Sequence, residues 1–485
     1  MSSWRAPTGA GSGRLNEAPD VAVVGGGLIG CSVARALARR GATVIVIERG
    51  VPGRGSTWAA AGMLSPTPEP DEPPAFRTLA AASFARYPAY VEALHSEAGI
   101  DAEFEESGRI HVAADARRAA GLPALLRRAA PFGAEQLGAA AALALEPALA
   151  PTLSGAVRIA HDARIDNRKL GAAAWAAAAN AGVEFRLGDA AVELCHDDGR
   201  FRAVRLASGD MVDAGAVVVA GGAWCAEIGG LPRTLPVRPA RGQMLAVAAG
   251  AGPARPAHAT FHRTITSDDV YLVPRRDGRL LIGATVEDVG FAPGPTLAGL
   301  RSLIEAALAI APVIADLPVL EVWAGFRPAT PDGLPILGRD PDAPGVYYAA
   351  GHFRNGILLA PITADVLADC LAGAEPPVEI DAFDVSRFDE PTAPRVVSGR
   401  GPHDRAEADA MTGEQEARAS AARPVTHRKN APRSAGTIVD RADYDPTFDP
   451  DAPIRCERCG GEMEYTSSCK IVCRTCGMMR DCGDP

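Results

Sequence analysis

Apolar residues near the start of the chain follow a strand pattern, then a helix pattern, and then a strand pattern again. Val21–Val24 is an unbroken apolar run, which is typical of a strand buried on both faces of a parallel sheet. A second apolar run, Val44–Ile47, ends at the acidic residue Glu48. Between the two runs, apolar residues recur at helical spacing, namely at Leu28, Ile29, Val33 and Leu37. This order predicts a strand–helix–strand unit of an α/β fold.

The same patterns predict further elements along the chain. Helices are predicted at Phe84–Gly99, over most of Ala113–Ala150, and at Asn167–Asn180 and Ile357–Leu367. Strands are predicted within Glu103–Val112, around Ala190–Leu194 and at Val217–Ala220. Two Asp-Gly pairs between apolar runs are typical of hairpin turns: Asp198-Gly199 and Asp277-Gly278.

Three glycines and one acid in the first unit match a dinucleotide pocket. Gly25 permits a tight turn, Gly27 lets the backbone approach a pyrophosphate, and Gly30 allows close helix–strand packing. The free N–H groups at the helix N-terminus would face the phosphates. Glu48 lies 18 residues after Gly30, where an acid that binds a ribose belongs. The alternative is an ordinary strand–helix turn. An acid at this position suits both NAD and the adenosine half of FAD.

The next segment favours FAD. Arg54–Leu64 consists mainly of small residues, so that its backbone and the Ser56 and Thr57 hydroxyls can reach a second diphosphate and a bulky ring. Further segments follow in order: Val217–Trp224, Arg241–Gln243, Tyr271–Arg275, Ile282–Thr285, Trp323–Gly338 and Gly351–Pro361. With these segments the chain resembles the FAD-dependent D-amino-acid oxidase family, and within it the glycine oxidases of thiamine biosynthesis. The resemblance covers roughly residues 20–388.

This resemblance implies a fold and a cofactor. It implies a Rossmann-like FAD-binding domain (about 20–83, 151–234 and 323–388) interleaved with a mostly antiparallel substrate domain (about 84–150 and 235–322). FAD is expected to bind noncovalently, because the stretch Arg327–Asp332 lacks the cysteine through which sarcosine-demethylating relatives can tether a flavin. The residues expected to bind FAD are Gly25, Gly27, Leu28, Ile29, Gly30, Glu48, Arg49, Ser56, Thr57, Ala60, Gly62, Met63, Val192, Gly221, His352, Arg354, Asn355, Gly356, Ile357 and Leu358.

The candidate catalytic residues follow from what amino-acid oxidation requires. A hydride leaves Cα for the flavin, while the protein orients the substrate. Arg matches a carboxylate better than Lys, because its guanidinium donates two parallel hydrogen bonds. Arg327 is the leading candidate for this clamp. The resemblance places the Tyr271 hydroxyl on the same carboxylate, and Arg354 would add positive charge. A packing role for Tyr271 and a surface ion pair for Arg327 are the alternatives.

The segment Gly351–Gly356 precedes an apolar helix whose N-terminal N–H groups would stabilise the reduced flavin. His352 in this segment is interpreted as structural more readily than as an acid or base, since geometry decides such roles. No general base is evident, and none is needed if the amine binds in its neutral form.

The resemblance implies oxidation of glycine by molecular oxygen. The products would be the imine or glyoxylate, ammonia and hydrogen peroxide, and the imine would supply the thiazole ring of thiamine. Sarcosine, small D-amino acids such as D-alanine, and dehydrogenase rather than oxidase chemistry remain alternatives. A homo-oligomer is also compatible with the resemblance.

Length and composition agree with a large enzyme. The chain has 485 residues, 47% of them hydrophobic, which favours about three domains with a sizeable core. No apolar run reaches the ~18 residues of a membrane-spanning helix. A formal charge of −10 argues against nonspecific nucleic-acid binding. Residues 1–19 are predicted to be a disordered leader. The scattered cysteines of the first 388 residues suggest no disulfide framework, which favours the cytoplasm.

The C-terminal part departs from the resemblance. Residues 389–455 contain no leucine and are predicted to be a disordered linker. Residues 456–485 then contain two Cys-x-x-Cys-Gly motifs, whose cysteines are Cys456, Cys459, Cys473 and Cys476. Paired motifs of this kind favour a tetrahedral Zn²⁺ site and hence a small zinc ribbon. A segment this short needs the metal in order to fold.

Several alternatives stay open for this module. Rubredoxin-like iron and a redox dithiol pair are the alternative chemistries, and Cys469 and Cys482 have no assigned role. The ribbon could dock a protein partner or a nucleic acid, although Lys470, Arg474 and Arg480 form only a thin basic patch. A different class of function is a metal-ribbon interaction protein whose flavin domain is vestigial.

Overall fold

The computed structural model describes residues 18–70, 72–249 and 261–389, together with the backbone of three short strands near the C-terminus. Two compact units divide the chain, Met1–Glu416 and Ala417–Pro485. The helices of the described part are α1 (Leu28–Ala38), α2 (Ser56–Ala59), α3 (Pro74–Ala98), α4 (Ala116–Ala119), α5 (Leu122–Ala129), α6 (Ala139–Leu145), α7 (Asn167–Asn180), α8 (Leu297–Ile310) and α9 (Gly356–Ala372). In this part of the chain, none of these helices combines the length and the apolar character needed to cross a membrane.

The strands of the described residues belong to several sheets. In chain order they are β1 (Val21–Val24), β2 (Val44–Glu48), β3 (Met63–Leu64), β4 (Arg109–Ala113), β5 (Ala134–Leu137), β6 (Gly155–Ile159), β7 (Ala163–Arg164), β8 (Glu184–Leu187), β9 (Ala191–Asp197), β10 (Arg200–Leu206), β11 (Met211–Asp213), β12 (Ala216–Val219), β13 (Arg238–Ala248), β14 (Thr264–Thr266), β15 (Tyr271–Pro274), β16 (Arg279–Gly283), β17 (Val319–Ala329), β18 (Ile336–Arg339), β19 (Val346–Ala350), β20 (Met463–Tyr465), β21 (Lys470–Cys473) and β22 (Met479–Asp481).

The first large sheet has six strands in the order β18-β19-β12-β1-β2-β8. All neighbours are parallel except β18 and β19. Its central strand β1 is fully buried, because helices α1, α3, α7 and α9 contribute a core on one face. The small sheet β11-β10-β9 contributes residues to the core on the other face. A sheet covered on both sides explains why Val21–Val24 is continuously apolar.

The second large sheet has eight strands in the order β17-β13-β16-β15-β14-β4-β6-β5. Only the β14–β4 pair is parallel among these neighbours. Helix α8 packs its apolar side, including Leu303, into a core with Leu245 and Ile282. Strands β6 and β17 belong to this sheet, although residues 151–234 and 323–388 were predicted as FAD-binding segments.

Several predicted elements are confirmed by the described structure. The strand–helix–strand unit β1–α1–β2 and helix α7 form as predicted. Asp198-Gly199 joins β9 to β10, with positive φ values of 47° and 74° that suit a tight hairpin. Asp277-Gly278 lies between β15 and β16, which pair antiparallel.

Two predicted helices differ from the structure. Helix α3 begins at Pro74, ten residues before the predicted start, because proline is well tolerated in the first turn. The prediction of mostly helix over Ala113–Ala150 was wrong for Ala134–Leu137, which forms strand β5. Its neighbour β6 supplies the antiparallel pairing, so tertiary contacts override the local alanine-rich composition.

The C-terminal unit contains the antiparallel sheet β20-β21-β22. Cys473 ends β21, but its side chain lies outside what the structure describes. The other predicted zinc ligands, Cys456, Cys459 and Cys476, also lie outside the described residues, as do residues 1–17 of the predicted leader and residues 390–455 of the predicted linker.

Candidate active site

A cavity of about 590 Å³ is lined by residues of both large sheets. The six-stranded sheet contributes the turn after β1, the end of β2 and the residues after β12 and β19. The eight-stranded sheet contributes Met244, Tyr271 and Gly325–Pro328. Segment 55–63, which contains α2, completes the lining. The cavity therefore brings the predicted nucleotide-binding and substrate-binding residues together.

The turn between β1 and α1 requires its glycines. A Cβ at Gly25, whose φ is +108°, would lie 2.4 Å from the carbonyl oxygen of Ala220. A Cβ at Gly30 would lie 1.9 Å from the carbonyl oxygen of Gly25. The N–H of Leu28 donates to Thr57 Oγ1 at 3.0 Å. The N–H groups of Ile29 and Gly30 have no acceptor among the described residues, so this helix end can bind an anion.

Glu48 and Arg49 lie at the same part of the cavity. The Glu48 carboxylate accepts hydrogen bonds from the N–H of Gly26 at 2.7 Å and from the N–H of Gly50 at 2.9 Å. These bonds fix the carboxylate at the end of β2. The Arg49 guanidinium lies 3.5 Å from the ring centroid of Trp224, close enough for a cation–π contact.

Tyr271 opens β15 and lines the cavity beside Gly283 of the neighbouring strand β16. A Cβ at Gly283 would lie 2.8 Å from the Tyr271 hydroxyl oxygen, so glycine leaves the space that the phenol ring occupies. The hydroxyl contacts Met244 Sδ at 3.7 Å. Burial raises the pKa of Tyr271, and the nearby positive charge of Arg327 opposes this rise. The phenol therefore remains a hydrogen-bond donor at neutral pH.

Arg327 lies near the end of β17 and is also in the cavity lining. Its Nη1 donates to the carbonyl oxygen of Thr285 at 2.9 Å. The guanidinium lies against Gly242 of β13, where a Cβ would be 2.4 Å from Nη1. Arg327 also has a side-chain hydrogen bond to Tyr271. A guanidinium has five N–H donors, so others remain for a carboxylate.

Arg354 adds a second guanidinium to the lining. Solvent reaches the Arg354 side chain. Partial burial by the surrounding protein nevertheless lowers the pKa of Arg354, and the carboxylates of Glu69 and Glu72 oppose this decrease. Burial also raises the pKa of Glu72 to about 7. Two arginines and one phenol thus give this end of the cavity the character of an anion site.

His352 is buried and its Nε2 lies 3.0 Å from Thr363 Oγ1. Burial lowers the pKa of His352 to about 3, so the ring is neutral at physiological pH. A neutral, hydrogen-bonded imidazole fits the structural interpretation of this residue better than a role as general acid.

The start of α9 is held by α3. Pro361 has no N–H to donate to the carbonyl of Ile357, and the hydroxyl of Tyr87 donates to that carbonyl instead. Ser83 Oγ donates to the carbonyl oxygen of Leu358 at 2.6 Å. These bonds fix the first turn of α9, whose N-terminus lies at the cavity.

Most of the predicted site residues line the cavity, and three do not. Gly30 packs against the carbonyl of Gly25 instead, and Leu358 belongs to the hydrophobic core. Asn355 accepts from the N–H of Leu359 through its carbonyl, as the residue before α9. The predicted residues in the lining are Gly25, Gly27, Leu28, Ile29, Glu48, Arg49, Ser56, Thr57, Ala60, Gly62, Met63, Val192, Gly221, Tyr271, Arg327, His352, Arg354, Gly356 and Ile357.

Sequence reasoning missed the residues that make room for the candidate catalytic side chains. Gly242 and Gly283 were noted as parts of motifs, but no role was predicted for them. Each lies on a strand paired with the strand of the residue it accommodates. A glycine inside an apolar strand is itself the signal, since it often marks a close approach of other atoms.

A family model described as FAD dependent oxidoreductase (DAO) matches residues 20–370 of the chain. The chain belongs to this family. The bifunctional protein ThiO/ThiG of Trichormus variabilis is 36% identical over 369 residues, which cover 76% of this chain and 55% of that protein. The glycine oxidase of Pseudomonas putida is 34% identical over 364 residues, which cover 74% of this chain and 96% of that protein. The chain therefore spans about half the length of the ThiO/ThiG protein.

Solved structures of relatives have the same mixed α/β fold. The crystal structure of glycine oxidase from Geobacillus kaustophilus gives a TM-score of 0.71 at 34% identity, covering 76% of this chain and 98% of that chain. Iminodiacetate oxidase from Chelativorans sp. BNC1 gives a TM-score of 0.69 at 30% identity, covering 78% of this chain and 100% of that chain.

The cavity fits FAD, the cofactor of the DAO family. The unpartnered N–H groups at the start of α1 suit a pyrophosphate, and Glu48 retains acceptor capacity for a ribose hydroxyl. The small residues Ala59–Gly62 leave room for a bulky ring along one wall of the cavity. The N-terminus of α9 supplies a positive dipole end at another wall.

Proposed function

We propose that this chain is an FAD-dependent amino-acid oxidase acting on glycine. The observation that carries the proposal is the pairing of Arg327 with Tyr271 in one cavity that also has the features of a dinucleotide site. A guanidinium and a phenol are the donors that a small carboxylate substrate requires. The glycine oxidases among the relatives support the choice of glycine.

In this proposal, Arg327 and Tyr271 orient the substrate. Arg327 donates to the carboxylate through the N–H groups that Thr285 leaves free. Tyr271 donates its hydroxyl to the same group, because the raised pKa keeps the phenol protonated. Arg354 contributes positive charge nearby. When bound, FAD would supply the redox chemistry by taking up the hydride from the substrate Cα, and this hydride carries both electrons of the oxidation.

The substrate amine binds in its neutral form. The neutral His352 ring is hydrogen-bonded to Thr363, so we assign it no role as a base for the substrate amine. The guanidinium groups of Arg327 and Arg354 both lie in the cavity lining, and their positive charge disfavours an ammonium group in the same place. The imine product hydrolyses in water to glyoxylate and ammonia, and molecular oxygen, as the final acceptor of the two electrons, would be released as hydrogen peroxide.

Sarcosine, D-alanine and other small amines are the competing substrates. A secondary amine such as sarcosine is supported by the similarity to iminodiacetate oxidase, because iminodiacetate is also a secondary amine. A peroxide-release assay with glycine, sarcosine and D-alanine tests the proposal. Highest kcat/KM with glycine supports it. Anaerobic bleaching of the yellow protein by glycine without peroxide release in air would instead assign a dehydrogenase. A colourless protein that never bleaches would favour an interaction protein with a vestigial flavin domain.

For the C-terminal unit we propose a Zn²⁺ site formed by Cys456, Cys459, Cys473 and Cys476. The spacing of the two Cys-x-x-Cys motifs supports this proposal. Cys473, the first cysteine of the second motif, ends β21, which pairs antiparallel with β22. Metal analysis of the purified full chain should give one zinc per chain, and Cys473→Ser should lower this content without changing the FAD content. Full zinc retention in that variant would contradict the assignment.

A further inference from the structure

Segment Thr57–Gly62 lies along the cavity wall, and side chains from three other parts of the chain bind its carbonyl groups. Trp323 Nε1 donates to the carbonyl oxygen of Ala59 at 3.0 Å. Arg275 Nη2 donates to the carbonyl oxygen of Ala61 at 2.8 Å. Asn167 Nδ2 donates to the carbonyl oxygens of Thr57 at 2.7 Å and Trp58 at 3.1 Å. Side chains therefore hold four carbonyl groups of this segment, whereas the carbonyl of Gly62 accepts from the backbone N–H of Ile165.

The three donors are buried and linked to one another. Trp323, Arg275 and Asn167 are between 2% and 8% exposed. Arg275 Nη2 also donates to Asn167 Oδ1 at 2.9 Å. None of these described residues belongs to the cavity lining, whereas Ala59–Met63 do. The donors thus lie behind the segment as seen from the cavity.

Their position determines where the opposite N–H groups point. In a planar trans peptide, the C=O of one residue and the N–H of the next point in opposite directions. Because the carbonyl of Ala59 is bound on the side away from the cavity, the N–H of Ala60 points toward the cavity. The N–H of Gly62 points toward the cavity for the same reason, since the carbonyl of Ala61 is bound on the far side. Within the described part of the chain, neither of these N–H groups has an acceptor. Gly62 is buried and Ala60 is half-buried. Because N–H groups removed from water are nearly always paired, these two N–H groups are open to a ligand.

We propose that Trp323 and Arg275 are positioning residues, which aim the N–H groups of Ala60 and Gly62 at polar atoms of the flavin ring. Gly62 is restricted to glycine at this point, because a Cβ there would lie 2.0 Å from the carbonyl oxygen of Ile165 and its φ is +64°. Donors that are fixed before the cofactor binds need no reorganisation, and they favour the electron-rich reduced ring. The inference rests on FAD binding and not on the identity of the substrate.

Trp323→Phe tests the proposal, since it removes the indole N–H and keeps an aromatic ring in the core. The matched control is Trp175→Phe on α7, the same change at a tryptophan outside the cavity lining. The dissociation constant of FAD from the apoprotein and the reduction potential of the bound flavin are measured for both. We expect Trp323→Phe to weaken FAD binding about tenfold and to make the potential more negative, with both quantities unchanged in the control. Unchanged affinity and potential in Trp323→Phe would overturn the proposal.

A purely structural role predicts a different result. In that case Trp323→Phe would lower the melting temperature of the apoprotein as much as that of the holoenzyme, and the potential of the flavin that still binds would stay at the wild-type value. This outcome would also overturn the proposal. Arg275→Met provides the second anchor variant, and it should shift the potential in the same direction as Trp323→Phe. Because neither readout uses glycine, failure here leaves the proposed oxidase activity untouched.

Discussion

Gly242 lies directly beneath the guanidinium of Arg327: a Cβ on Gly242 would be 2.4 Å from Nη1 and 2.7 Å from Cζ. The two residues belong to the paired strands β13 and β17. The absence of a side chain at position 242 is thus what allows Arg327 to lie flat along the sheet and to donate to the carbonyl of Thr285. The orientation of the proposed carboxylate clamp depends on this glycine.

Gly242→Ala should displace the Arg327 guanidinium and weaken substrate binding. We expect KM for glycine to rise about tenfold, the loss typical of a charge-assisted hydrogen bond, while FAD remains bound. Steady-state peroxide release measures the effect. Gly138→Ala is the control, because a Cβ at Gly138 meets nothing within 4 Å. Equal KM values in both variants would show that Arg327 does not need this space.

Tyr271→Phe should remove one hydrogen bond to the substrate carboxylate. A hydrogen bond to a charged group is worth about 1.5–3 kcal/mol, so KM should rise by about tenfold to a hundredfold. Tyr347→Phe, the same change on β19 outside the cavity lining, should leave KM unchanged. A loss of FAD in Tyr271→Phe, with wild-type KM in the fraction that retains it, would assign the phenol to the cofactor instead.

Gly30→Ala should separate α1 from β1, because the new Cβ would lie 1.9 Å from the carbonyl oxygen of Gly25. Backbone atoms cannot move aside as a flexible side chain can, so we expect a loss of about 1–3 kcal/mol in stability. FAD content should fall as well, since the same turn forms the anion site. Thermal unfolding and the flavin absorbance per chain measure the two effects. A variant as stable and as yellow as the wild type would contradict this packing.

Because of His352, the free energy of unfolding should be smaller in mild acid than at neutral pH. The pKa of His352 is lowered from 6.5 to about 3 by burial, so the unfolded chain binds more protons between these pH values. The stability due to the neutral ring is complete above pH 6.5 and is lost as the pH falls. We therefore expect His352→Gln to reduce the stability difference between pH 7.5 and pH 5.0 by about 2 kcal/mol.

Urea denaturation of the apoprotein at the two pH values measures this difference. His95→Gln, at an exposed position on α3, is the matched control. The prediction fails if both histidine variants retain the full wild-type difference between pH 7.5 and pH 5.0.

The nucleotide end of the site was readable from sequence because its chemistry is local. Gly25, Gly27 and Glu48 lie within one strand–helix–strand unit, where the spacing alone indicates their positions. The roles of Tyr271 and Arg327 could be predicted only from the resemblance to a family, since the two residues belong to non-adjacent strands of the eight-stranded sheet. Periodicity says nothing about which strands become neighbours.

The anchors of the cavity wall could not be predicted at all. Trp323 and Arg275 bind backbone carbonyls of residues more than 200 positions away in the chain. Every residue has a backbone carbonyl, so the sequence does not show which carbonyl group a side chain will bind. A buried arginine or tryptophan can also form many other contacts. Strand β5 was missed for a related reason, because its pairing with β6 is decided by tertiary contacts.

The most direct test of the proposed mechanism is the kinetics of Arg327→Ala with glycine, measured by peroxide release on protein whose FAD content is checked by absorbance. Loss of a charge-assisted carboxylate contact should raise KM by about tenfold to a hundredfold, with FAD still bound. Wild-type kinetics in this variant would show that the guanidinium does not hold the substrate.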